Sequence, residues 1–481
     1  MPSIVAGLSA TQTRARQGEL GEWGLFWLFV IALAWTPFWY GSNDLVAWGV
    51  NAVVFPGLAG LYELRLLIGA RSHPVGIRNL AVPATFFAAV VAWIFAQTVL
   101  LSHSPPAHPI WDLAAGALGS PLAGSISVNR DLTMLALIRL LTAASVFWLA
   151  LQLCRSAARA SLLLDVVAAV ICLYAVYGLV AFALATGHLP WMENRVAAVA
   201  VTSVSSTFVN HNSFAAYAGL GLIVVCGTIF RLYERAFAGT EGHRRLQIAT
   251  LIEATGQKGG LLLAGGFVLL VALLLTGSRG GVIATACGMC VLGALVLRPG
   301  QTRVHGRLAI VVLAALAAIA ALFTFGDPFI AGLAERGIGD TGRMAVYLIT
   351  LWSILDAPLQ GHGYGTFADV FPMYRDRSIG VQCAWLQAHD TYLEVFQGLG
   401  LAFGTMLVVC VLLLVVSCIN GAAARQESMT APRVAASAAF LVSVHSLVDF
   451  SLQIQAIALT FMAILGAGVA QSESSRVALN D

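Results

Sequence analysis

Uninterrupted apolar runs of about 20 residues, the length a helix needs to cross a bilayer, recur throughout this 481-residue chain. They fall near 22–40, 45–68, 80–101, 132–154, 162–186, 212–230, 260–276, 281–297, 308–326, 395–418, 434–450 and 454–471. Inside lipid every backbone polar group must be satisfied internally, which leaves only helices and closed barrels. A barrel would show weakly alternating segments of about ten residues, whereas these runs are continuous. The pattern predicts an all-α polytopic membrane protein of about 12 transmembrane helices, a single membrane domain over 1–481. Composition agrees: 59% of residues are hydrophobic and 10% charged, against about 25% charged in soluble domains. A soluble, disordered or nucleic-acid-binding chain is thereby excluded. Arg14 and Arg16 precede the first run and no clear small-residue cleavage site follows it, so that run reads as a retained helix rather than a signal peptide.

Orientation follows from Lys and Arg, which accumulate on cytoplasmic loops. With the N-terminus cytoplasmic, 18 of the 26 fall on inner segments and Arg139 within a run. Seven remain outside: Arg130, Arg195, Arg279, Arg336, Arg343, Arg375 and Arg377. Both termini are then expected in the cytoplasm. Three outer stretches are long: 102–131, 187–211 and 327–394. The last has an amphipathic stretch, Met344–Trp352, and a glycine-rich turn, Gly361-His-Gly-Tyr-Gly365. It is expected to form a partly helical cap between the ninth and tenth spans.

The outer side also gathers the residues able to carry chemistry. Thr276-Gly-Ser-Arg-Gly-Gly281 is a short turn between two runs. Arg279 either snorkels at a helix end or, with Ser278 and a helix N-terminus, binds an anion. Asn210, His211 and Asn212 either cap a helix or meet a polar ligand. His389 is either a solvated or capping loop residue or a side chain placed to transfer a proton or hydrogen-bond a reacting hydroxyl, while Asp390 beside it reads as an N-cap. Arg343 and Arg375 add cations that a diphosphate would need. His445 and Asp449, four apart on one helix face, are expected to couple to each other. Cys287-Gly-Met-Cys290 sits within a run and reads as packing. There is no phosphate loop, no HExxH, and no carboxylate pair of the kind a divalent-metal transferase uses.

Taken in order, six motifs resemble the bacterial O-antigen ligase and O-antigen polymerase superfamily of membrane glycosyltransferases. They are Ser206-Thr-Phe-Val-Asn-His-Asn-Ser-Phe-Ala-Ala-Tyr217, Thr276-Gly-Ser-Arg-Gly-Gly281, Thr341-Gly-Arg343, Gly361-His-Gly-Tyr-Gly-Thr-Phe367 with Phe371-Pro-Met-Tyr-Arg375, Ala388-His-Asp-Thr-Tyr-Leu393 and His445-Ser-Leu-Val-Asp-Phe450. The resemblance covers about 195–470; the first third matches only as apolar runs.

The resemblance implies a GT-C-like fold in the bacterial inner membrane with a periplasmic active site. It implies inverting, metal-independent transfer of a glycan from undecaprenyl diphosphate to a sugar hydroxyl, with no cofactor. The acceptor would be lipid A–core or another glycan. It assigns diphosphate binding to Arg279 and the acceptor hydroxyl to His389. The second family arginine, usually just before Thr207, has Arg195 as its nearest candidate here, and His211 occupies another arginine position. A polymerase of the same family is the first alternative. A non-enzymatic transporter of lipid-linked sugars is the second, with Asp165 and Asp449 as the main acidic residues in its spans.

Overall fold

The computed structural model describes residues 20–101, 106–184, 203–237, 244–296, 341–377, 379, 384–424 and 429–477. The run at 308–326, Arg195 and Arg336 lie outside the described residues. The helices are α1 (Leu20–Trp35), α2 (Leu45–Ile68), α3 (Ala81–Gln97), α4 (Ile110–Leu118), α5 (Arg130–Leu153), α6 (Ala157–Ala183), α7 (His211–Phe237) and α8 (Arg244–Ala254). They continue with α9 (Gly260–Leu275), α10 (Arg279–Val296), α11 (Thr341–Asp356), α12 (Phe367–Tyr374), α13 (Thr391–Ala424), α14 (Thr430–His445) and α15 (Gln455–Val477). No strand occurs among the described residues. Eight helical segments there are long and apolar enough to cross a membrane, and α1 and α9 are apolar but shorter. The protein is therefore a polytopic helical membrane protein. The expected count of about 12 exceeds these eight, partly because α14 has only 16 residues.

Two helices form the centre. The apolar windows of α7 and α15 are 83% and 89% buried, against 17% for the segment carrying α3. Around them α15 packs on α5, α13 and α14, α7 on α6, α9 and α10, and α10 on α14. The peripheral helices turn large apolar side chains outward, as lipid permits. Asp165, an acid within an apolar run, is paired with Arg231 at 2.5 Å. The ends of α1, α6, α7 and α14 are tied by Arg159–Glu22 and Arg433–Glu234, both at 2.9 Å.

At the opposite end of the bundle α2, α5, α7, α10 and α13 start, and a helix start leaves N–H groups without partners. Polar side chains supply the acceptors: Asp44 for α2 (to Val46 N, 3.0 Å), Asn129 for α5 (to Asp131 N and Leu132 N, both 3.1 Å) and Asn210 for α7 (to Asn212 N, 2.8 Å). Ser278 caps α10 (to Gly281 N, 3.1 Å) and Asp390 caps α13 (to Leu393 N, 3.0 Å). Capping thus concentrates polar chemistry at one end.

The described part of 327–394 carries α11 and α12, and the segment docks onto a break in α13. Gly400 has φ 75° and ψ 170°, a conformation open only to glycine. The break frees backbone groups that the neighbouring loop takes up: His362 N donates to Gln397 O (2.9 Å), Gly363 N to Gly398 O (3.1 Å) and Leu401 N to Pro358 O (2.7 Å). Gln97 of α3 donates to Gly398 O and Gln360 O and accepts from Tyr364 N. A broken helix at membrane depth is tolerated when protein re-satisfies it in this way.

Candidate functional site

A cavity of about 460 Å³ opens at the capped end of the bundle, lined by residues from five separate parts of the chain. Tyr40 and Asn43 come from the α1–α2 elbow, Phe208 to Ser213 from the start of α7, and Arg343 from the first turn of α11. His389 precedes α13, and Phe450 and Ile454 precede α15. Of the sequence-predicted residues, Asn210, His211, Asn212, Arg343 and His389 meet here. Every one of these segments is on the side that the Lys and Arg distribution puts outside.

The turn after α14 joins α11 to the segment before α13. Arg343 Nη1 donates to Val448 O at 3.1 Å. Asp449, 1% exposed, lies next to it, and its Oδ1 is 3.4 Å from His389 Nδ1. Burial pushes the Asp449 carboxyl up. The contact from His389, the neighbouring His445 and the Phe450 N–H outweigh burial and hold it below its ordinary value. It is therefore ionised at neutral pH and favours the Nδ1–H form of the His389 ring. His445 directs its own Nδ1 to Ser451 Oγ (2.9 Å). The coupling expected between His445 and Asp449 thus extends to His389, a partner from another element that sequence spacing could not reveal.

The backbone at His389 is left-handed (φ 56°), which is uncommon for a non-glycine residue. It is held from several directions. Tyr347 of α11 donates to His389 O (2.9 Å), and Thr391 N donates to Ser446 O (2.8 Å). Phe450 and Trp385 stand edge-on to the ring, at 4.8 and 5.6 Å. Glu394, one turn into α13, accepts from Ala388 N (2.6 Å) and Gln453 Nε2 (3.1 Å). The Gln387 amide nitrogen, turned towards it, donates to both of its oxygens. Every one of these partners donates to the carboxyl group.

His211 Nδ1 donates to Thr276 O at 2.8 Å, joining the start of α7 to the turn that carries Arg279. Arg279 is the first residue of α10, half-buried, and does not line the cavity. The next residue, Gly280, packs against the Asp449 turn: a Cβ on it would be 2.9 Å from Val448 Cγ2. Ser278 is buried as the cap of α10, and Arg375 ends α12 outside the cavity lining. Arg195 lies outside the described residues.

The fold and this cavity define a polytopic helical membrane protein whose neutral amides, arginine and carboxylate-backed histidine converge at one end. Residues 264–409 match the family model described as O-antigen ligase. The match runs from α9 into α13, and it supports the O-antigen ligase and polymerase superfamily indicated by the motifs. No curated protein matches the chain by sequence.

Proposed function

We propose that the protein is a glycosyltransferase of the O-antigen ligase type. It moves a glycan from undecaprenyl diphosphate to a sugar hydroxyl, such as one on lipid A–core, at the periplasmic face of the inner membrane. The observation that carries this reading is the Asp449–His389 pair on a cavity that also receives Arg343. In one displacement, His389 accepts the proton of the acceptor hydroxyl, whose oxygen bonds to the anomeric carbon. The bond from that carbon to the diphosphate breaks, and the configuration inverts. Asp449 holds the ring's orientation and offsets its developing charge. Arg343, with Arg279 at the start of α10, stabilises the charge that grows on the diphosphate. Arg343 is the arginine on the cavity lining, and the reading assigns the diphosphate's charge to arginine.

The same chemistry suits a polymerase, whose acceptor is another lipid-linked chain. The two are separated by the lipopolysaccharide of a deletion strain on a gel. A ligase predicts bare lipid A–core with accumulating undecaprenyl-linked polymer, and a polymerase predicts core bearing single repeats. An unchanged pattern of every surface glycan would contradict both.

A further inference from the structure

We infer that the α1–α2 elbow binds a neutral pyranose ring of the glycan, with Asn43 as a specificity-determining residue; the glycan's identity as substrate rests on the transferase reading. The elbow lies in the first third of the chain, far from the six motifs. Three consecutive residues, Tyr40, Gly41 and Ser42, have φ of 52°, 66° and 54°. Such strain persists only when the surroundings over-determine it, and here they do. Ser42 Oγ donates to Thr36 O (2.6 Å), and Trp48 Nε1 donates to Ser42 O (2.8 Å). Asn51 Nδ2 bridges Ser42 Oγ (3.1 Å) and Gln455 Oε1 (2.8 Å). Ala456 N donates to Gly41 O (3.1 Å), and Thr207 Oγ1 to Pro37 O (2.6 Å). The elbow is thereby fixed to the segment before α7 and to the start of α15, and Tyr40 and Asn43 become cavity wall.

The wall they form differs from the arginine side. Asn43 and Asn212 make no side-chain hydrogen bond to another described residue, so each amide keeps a donor and an acceptor for a ligand. A hydroxyl needs that combination; a phosphate takes donors only. Phe450, half-buried on the cavity lining, supplies aromatic surface for the C–H face of a sugar ring, while Tyr40 and Phe208 beside it are buried. The volume lies within the ~300–1,000 Å³ of small-molecule sites. One cavity therefore offers cations to a diphosphate and amides with aromatic surface to the sugar next to it.

The test uses the full-length protein in nanodiscs and saturation-transfer NMR with a panel of methyl pyranosides, followed by inorganic pyrophosphate. Wild type and His389→Ala are expected to saturate the same pyranoside. Asn43→Ala, and the same-sized Asn43→Asp, should lower that signal at least tenfold and leave pyrophosphate binding intact. The inference is overturned if no pyranoside binds wild type, if both Asn43 variants keep the pyranoside signal, or if they lose pyrophosphate instead. The transferase reading is judged separately by the deletion-strain gel.

Discussion

At the scale of residues, the site depends on a buried carboxylate that orients a histidine. Asp449 is ionised because the groups facing it outweigh its burial. Asp449→Asn keeps the size but offers a neutral amide to His389 Nδ1 and weakens the hold on the ring's tautomer. Activity should fall by roughly 10²-fold or more, the scale of general-base catalysis, in kcat rather than KM; kinetics on the folded variant check this, and a pure KM effect would make Asp449 a binding residue instead. His389, Arg343 and the two asparagines of α7 were legible in the sequence because each is a polar residue in an outer segment of an otherwise apolar chain. Asp449's partnership was not, since it joins residues 60 positions apart by number through the packing of α14 against α13. Asn43 was hidden because a short loop between two apolar runs gives no chemical signal until its conformation is known.

At the scale of elements, the break in α13 and the loop docked on it hold the outer segment against the bundle. Gly400→Ala should lower the melting temperature measured in detergent, because alanine strains this backbone by about 1–3 kcal/mol and its Cβ would collide with Leu359 O. An unchanged melting temperature would show that the break is dispensable. A second tie is a histidine pair: His108 Nε2–H donates to His362 Nδ1 at 3.0 Å, and His362 Nε2–H to Ser353 O at 2.8 Å. His108 Nδ1 in turn accepts from Ile110 N (3.2 Å). Both rings must be neutral for this chain to form. Burial first, then His362, bring His108 down to about 4, with Asp356 acting the other way. Burial likewise lowers His362, against the Ser353 hydrogen bond and Asp356, whose carboxylate also accepts from Tyr374 (2.6 Å). The unfolded histidine binds its proton near 6.5 and the folded one near 4, so the pair's contribution to stability is full above 6.5 and is lost as pH falls towards 4 and the unfolded chain takes up the proton. Thermal unfolding at pH 7.5 and 5 should show a loss at the lower pH that His108→Gln reduces; equal losses in both proteins would remove the pair from the explanation. The helices here were readable from apolar length, whereas the break was not, because a single glycine inside an apolar run carries no local mark of its φ.

At the scale of the whole molecule, the scarcity of charge organises the account. Acids and arginines in or near apolar runs find partners, as Arg231 does with Asp165, and helix starts collect the remaining polar groups at one end. The span pattern was legible because lipid requires length and apolarity of each crossing segment. The site was legible only in part, because its walls come from elements distant in sequence that packing alone unites. The central claim is that glycan transfer occurs at the cavity carrying His389. It is tested most directly with purified full-length protein in nanodiscs, given an undecaprenyl-diphosphate-linked glycan and lipid A–core, with EDTA present. Transfer with inversion is expected from the wild type, and a loss of at least roughly 10²-fold from folded His389→Ala, with Arg279→Ala similarly impaired. Wild-type rates in folded His389→Ala would contradict it.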